Sequence, residues 1–157
     1  MTTNTGRYIR AVLWDMDGTL MDSQPLWDES FRRCCQERGG TVTPEQVAGI
    51  AGASIARTCE LIAETGATAS PEDPATAEVF ARISAQVEAA VRADPPILPG
   101  ARSITSTLSE IGLAQVIVTQ SPRPIVEAVA HALGDVFVDL VTGDDGLPGK
   151  PTPAPYA

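Results

Sequence analysis

The stretch Ala11-Val12-Leu13-Trp14-Asp15-Met16-Asp17-Gly18-Thr19-Leu20 constrains what this chain can fold into more than any other. A short apolar run ends abruptly in two aspartates one residue apart, with Gly and Thr directly after them. An apolar run without polar alternation predicts a buried parallel strand, and a parallel strand requires crossover connections and covering helices. The fold class expected is therefore α/β, with the carboxylates at the C-terminal edge of the sheet, where open sheets of this class keep their sites. Alternation places Asp15 and Asp17 on one side of the extended chain and Met16 on the other. Gly18 lets the chain leave the strand sharply, and backbone N–H groups there are expected to meet an anion. Asp and Gly are also ordinary turn residues. Yet the letters Asp-x-Asp-Gly-Thr should arise by chance in roughly one chain in a thousand of this length.

The rest of the chain divides around that strand, which is predicted over 8–14. After Asp22-Ser23 the apolar pattern turns helical for about seventy residues. Pro25, Trp27, Phe31 and Cys34 or Cys35 mark a first helix closed by Gly39-Gly40. Thr43-Pro44-Glu45-Gln46 is a capping-box pattern, and Ser54 is placed to cap a helix carrying Ile55, Cys59 and Ile62. Asp73-Pro74 opens the most periodic helix, with Val79, Ile83, Val87 and Val91 four residues apart. The Pro-rich run 94–100 is a linker. Strand and helix then alternate. Ala101, Ile104, Leu108 and Ile111 mark the apolar face of a helix, 115–118 is a strand, and Ile125, Val129 and Leu133 mark another helix. A strand over 136–141, a turn at 143–146 and a Pro-rich tail follow. That rhythm predicts a parallel, doubly wound sheet.

Asp15-Met16-Asp17-Gly18-Thr19-Leu20, with Asp22-Ser23 beyond it, resembles the first motif of the haloacid dehalogenase-like hydrolases. Val116-Ile117-Val118-Thr119 resembles the second motif, and Gly149-Lys150-Pro151-Thr152-Pro153 the third. Lys150 is the single lysine among eleven cationic residues. The resemblance implies a partial doubly wound, Rossmann-like parallel sheet with an inserted helical cap. The core would take 1–22 and 97–157, and the cap 23–96. It also implies a Mg²⁺-dependent hydrolase of a small organic phosphate, from the phosphatase and β-phosphoglucomutase branch. Asp15 would be the nucleophile that forms an aspartyl-phosphate and Asp17 the general acid and base. Both would bind Mg²⁺, while Thr119 and Lys150 would hold the phosphoryl group. An aspartate at position 17 favours phosphate transfer over dehalogenation. Gly18, Thr19 and Gln120, with Ser54 and Arg57 of the cap, are the expected substrate contacts. A phosphomutase is the weaker alternative.

The family's fourth motif, paired acidic residues after a further strand, has no counterpart in the sequence. The expectation is a C-terminally truncated core with an open first strand, and the second functional reading is an inactive fragment or phosphate-binding remnant. A net charge of −9 without any basic cluster argues against nucleic acid or an anionic membrane as partner. Residues 1–10 lack the apolar core of a signal peptide, and no run reaches membrane-spanning length. Three cysteines, Cys34, Cys35 and Cys59, have no metal-binding spacing and are expected to pack as reduced thiols in a cytoplasmic protein.

Overall fold

In the computed structural model, which describes residues 9–157, the chain leaves its first strand, β1 (Ala11–Trp14), and builds four helices before a second strand forms. Tyr8, part of the expected strand, lies outside the described residues. The helices are α1 (Gln24–Glu37), α2 (Pro44–Ala48), α3 (Ile55–Glu64) and α4 (Pro74–Ala93). Their starts follow from local side-chain chemistry. The Gln46 N–H donates to Thr43 Oγ1 at 3.2 Å and the Thr43 N–H to Gln46 Oε1 at 2.9 Å, which completes the capping box. Ser54 Oγ accepts the Arg57 N–H at 3.2 Å, and Asp73 Oδ1 accepts that of Ala75 at 2.9 Å. Each satisfies a donor that a helix start leaves open.

Past the linker come α5 (Ala101–Glu110), β2 (Ala114–Val118), α6 (Arg123–Ala132), β3 (Asp139–Val141) and a single 3₁₀ turn at Ala154–Tyr156. The three strands are parallel in the order β1-β2-β3, with Leu13 opposite Val116 and Trp14 opposite Ile117. Both crossovers step the same way across the sheet, so right-handed connections put α5 and α6 on one face. Ile117 lies in the core cluster with α6, Trp14 and Leu140 pack against it, and Gln115 Nε2 donates to the Thr105 carbonyl of α5 at 2.9 Å. On the opposite face Ala11 is exposed, Leu13 is 46% exposed, and Val116 is half-buried.

Two apolar clusters form the interior. One gathers Phe31, Cys34, Cys35, Leu61, Ile62, Val79 and Ile83 among the first four helices. The other gathers Met16, Leu20, Ile117, Ile125, Val129 and, from α4, Val87 and Val91. The most periodic helix thus serves both. Burial pushes the Cys34 thiol up and the Cys35 thiol up to about 11, consistent with cysteines that pack as small apolar groups.

Two expectations need correction. In α5 the buried positions are Ala101 and Thr105, while Ile104 is 48% exposed and Ile111, just past the helix, 70%. The Thr105 hydroxyl donates to the Ala101 carbonyl at 2.9 Å and is therefore satisfied when buried, and the Gln115 bond pins that side to the sheet. The third strand is shorter than 136–141. Asp135 turns at φ 53, and the chain is still climbing from that corner at Val138, whose N–H reaches the Gln115 carbonyl at 2.8 Å.

Candidate active site

The C-terminal ends of β1 and β2 meet at Asp15 and Asp17, joined by Lys150 from the loop after β3. Lys150 Nζ lies 2.5 Å from Asp15 Oδ1, an ion pair across 135 positions of sequence. Thr19 Oγ1 donates to the other oxygen of Asp15 at 3.0 Å. The Asp15 side chain is 48% exposed and Lys150 only 23%, so the cation is held from behind and the carboxylate faces outward.

Asp17 is held differently. Thr119 Oγ1 and Ser121 Oγ donate to its Oδ2 at 3.0 and 2.8 Å, and Ser23 Oγ donates to Oδ1. These hydroxyls come from the end of β2 and the start of α1. In the sequence Ser121 is a secondary candidate for phosphate contact that could equally cap the following helix. Instead Pro122 precedes α6 with no side-chain cap, and the Ser121 hydroxyl is spent on Asp17. Ser23 carried no role in the sequence reading, and its place directly after Asp22 before a helical run was the available signal.

The turn after β1 closes on itself. Gly18 has φ +79, which favours glycine, and its N–H donates to the Met21 carbonyl at 2.8 Å. The Thr19 N–H donates to Met16 O at 3.1 Å. These two N–H groups, expected to meet an anion, are used in holding the turn. The Thr19 hydroxyl on Asp15 is what this turn offers the site.

The loop after β3 is anchored before it reaches Lys150. Arg123 Nη2 lies 2.7 Å from Asp145 Oδ1, the Thr142 N–H donates to Asp145 Oδ2 at 2.8 Å, and the Thr142 hydroxyl donates to Asp144 at 2.7 Å. Burial works against the charge on Asp145, but the bonds from Arg123 and Thr142 outweigh it and hold the carboxyl below its ordinary value. Gln120 Nε2 then donates to the Lys150 carbonyl at 3.3 Å.

Above Asp17 a cleft lies between the end of the sheet and the helical block. Asp17, Gln120 and Ser121 line its floor, and Trp27, Ile55 and Phe80 line its walls. Gly52 and Ala53 also reach it, but Ser54 and Arg57 do not line it. Ser54 caps α3, and Arg57 Nη1 is 2.7 Å from Glu60 and 2.8 Å from Glu64. The sequence marks Trp27 as one of the positions at helical spacing in the first helix. Its position within the first turn of α1, beside the sheet edge, brings it to the cleft. Among the described residues no group of three or more His, Cys, Asp or Glu side chains is arranged to hold a metal ion.

Comparison with known proteins bears on the family and the fold. The family model of haloacid dehalogenase-like hydrolases matches residues 9–157. The chain is 30% identical to hexitol phosphatase B of Escherichia coli (strain K12), over 98% of this chain and 69% of that protein. It is 29% identical to phosphoglycolate phosphatase of Rhodobacter capsulatus, over 91% of this chain and 66% of that one. A β-phosphoglucomutase from Clostridium difficile shares the fold with a TM-score of 0.77 at 18% identity, covering 95% of this chain and 68% of its own. CbbY from Rhodobacter sphaeroides, solved with phosphate, does so at 0.76 and 22%, covering 95% and 70%. The chain belongs to the haloacid dehalogenase-like hydrolases.

Proposed function

We propose that this chain is a Mg²⁺-dependent phosphatase acting on small organic phosphates through an aspartyl-phosphate on Asp15. The observation that carries the reading is the Lys150–Asp15 pair of 2.5 Å, with Asp17 fixed beside it by hydroxyls from two elements. A carboxylate paired with a cation is a nucleophile that can approach a phosphate without facing its full negative charge.

In this reading an Asp15 oxygen attacks phosphorus in line as the ester oxygen leaves. Asp17 delivers a proton to that leaving oxygen, then takes one from the water that hydrolyses the acyl-phosphate and restores Asp15. Lys150 neutralises the phosphoryl oxygens as they pass between the two states. Thr119 positions Asp17 and stands at the end of β2, where a phosphoryl oxygen would come to rest. Thr19 orients Asp15 through its hydroxyl, and Gly18 permits the turn that places it. Gln120 reaches the cleft floor, whereas Ser54 caps α3 and Arg57 pairs within it, so neither is given a substrate contact.

Asp15 and Asp17 suit Mg²⁺ by donor chemistry, since both offer hard oxygens and this ion is commonly held by one or two carboxylates with water completing its shell. Bound there, it would spread the negative charge of the phosphate.

The test is phosphate release from an aryl phosphate by the 157-residue chain. Release that needs Mg²⁺, stops on chelation and falls about a thousandfold in Asp15→Asn is the expected result. Folded protein that releases no phosphate, or an Asp15→Asn variant as active as the parent, rules the reading out.

A further inference from the structure

The cleft has a marked imbalance of chemistry along its length. Its floor meets the Asp17 carboxylate, one residue from the Asp15–Lys150 pair. Away from the floor, the lining found among the described residues contains no Arg, Lys or His. The cation that α3 carries beside the cleft, Arg57, lies outside the lining and is committed to Glu60 and Glu64. The walls instead combine apolar surface from Trp27, Ile50, Ile55 and Phe80 with two neutral polar groups, Gln24 and Thr58. Gln24 spends an amide N–H on Asp28 Oδ1 at 2.7 Å, and Thr58 donates its hydroxyl to the Ser54 carbonyl at 3.1 Å. What these two groups then offer a ligand is mainly acceptor oxygen, with a neutral amide N–H from Gln24. Acceptor oxygens pair with hydroxyl groups and repel a carboxylate or a second phosphate.

We infer that the substrate's leaving portion is uncharged: a phosphomonoester of a polyol or sugar-like alcohol whose reacting phosphate is its sole anion. Its hydroxyls face Gln24 and Thr58, and its C–H surface packs on Trp27 and Phe80. A second anion would enter a cleft whose described lining has no cation to pair with it, in a chain already at −9, and unpaired burial of charge is costly. This assignment rests on the phosphatase reading and narrows it. Of the two activities named for the relatives above, it points to the hexitol phosphate and away from phosphoglycolate, whose carboxylate would lie in the uncharged part of the cleft.

The experiment measures binding and turnover separately. Calorimetric titration of the Asp15→Asn variant with Mg²⁺ present compares a hexitol phosphate, phosphoglycolate and a sugar bisphosphate. Tighter binding of the hexitol phosphate by about tenfold over both others is expected. In the parent chain kcat/KM should rank the same way. Ala53→Arg, which adds a cation on the cleft loop without altering a helix, should reverse the preference in favour of phosphoglycolate. Equal or tighter binding of phosphoglycolate or the bisphosphate by Asp15→Asn overturns the inference, as does no detectable binding of the hexitol phosphate. Because binding is read on an inert variant, failure of aryl phosphate hydrolysis would remove the phosphatase reading without deciding the ligand preference.

Discussion

Gln120 occupies the space that two glycines leave open. A Cβ on Gly143 would sit 2.0 Å from the Gln120 carbonyl oxygen, and one on Gly149 would sit 2.6 Å from its side-chain Nε2. The two clashes differ in kind, because a backbone carbonyl at the end of a strand cannot retreat and a side-chain amide can. Gly143→Ala is therefore expected to lose about 3 kcal/mol of stability, read as a lowered thermal midpoint. Gly149→Ala should keep its midpoint within a few degrees while displacing the amide from the Lys150 carbonyl, which lowers kcat about tenfold and leaves KM unchanged. Similar losses of stability in the two variants would show that Gln120 is as rigid at its tip as at its backbone. At this scale much of the site was legible. Asp15, Asp17, Thr119 and Lys150 stand out because each follows an apolar run or a Gly-Lys-Pro sequence, and the fold brings all four together. The partners of Asp17 were not legible as partners, because whether Ser23 and Ser121 cap a helix or reach a carboxylate depends on rotamers the sequence does not specify. Arg57 is the converse case: its pairing with Glu60 and Glu64 is written in the i+3 and i+7 spacing but competes with any role in the cleft.

Among the elements, α4 does two jobs. Val79 and Ile83 are buried in the helical cluster and Val87 and Val91 in the sheet cluster, on one continuous helix of 20 residues. Trp27 of α1 packs against both clusters as well. The boundary read near residue 96 marks where the helical pattern ends, whereas the change of packing partner falls between Ile83 and Val87. Periodicity reports which face of a helix is apolar and says nothing of which neighbour covers each turn, so this division was invisible in the sequence. The same limit explains α5, where burial follows Ala101 and Thr105 because a threonine can satisfy its hydroxyl on its own helix. A shared helix couples the two clusters in unfolding. Ile83→Ala, fully buried on the helical side, should cost about 2–5 kcal/mol. Far-UV circular dichroism and tryptophan fluorescence, reporting helix content and the surroundings of Trp14 and Trp27, should then shift together in one transition. Two separated transitions, with only the helical part lowered, would show that α4 does not transmit stability across the boundary.

For the molecule as a whole, the covering of the sheet is uneven. Among the described residues α5 and α6 lie on one face, and β1 forms an end of the sheet with one side unpaired. Leu13 is 46% exposed on the uncovered face, with half-buried Ala114 and Val116 beside it and exposed Ile9 just before the strand. A parallel strand with an apolar free edge and an apolar uncovered face is a template for another chain, since both its ladder groups and its side chains gain by pairing. Opposing this is the charge of −9, which keeps molecules apart at low salt and is screened as salt rises. The 157-residue chain should therefore associate with increasing concentration, and more readily at high than at low ionic strength. Leu13→Lys places a charge on the exposed face while leaving the Trp14–Gln115 side untouched, so it should raise the concentration for half-association about tenfold at equal salt. Sedimentation velocity across a concentration series reads this directly. If the parent stays monomeric at every salt concentration, or Leu13→Lys associates as strongly as the parent, the open face is not what draws copies together. A surface elsewhere, such as the exposed Ile104 of α5 and Ile111 just past its end, would then be the place to substitute next.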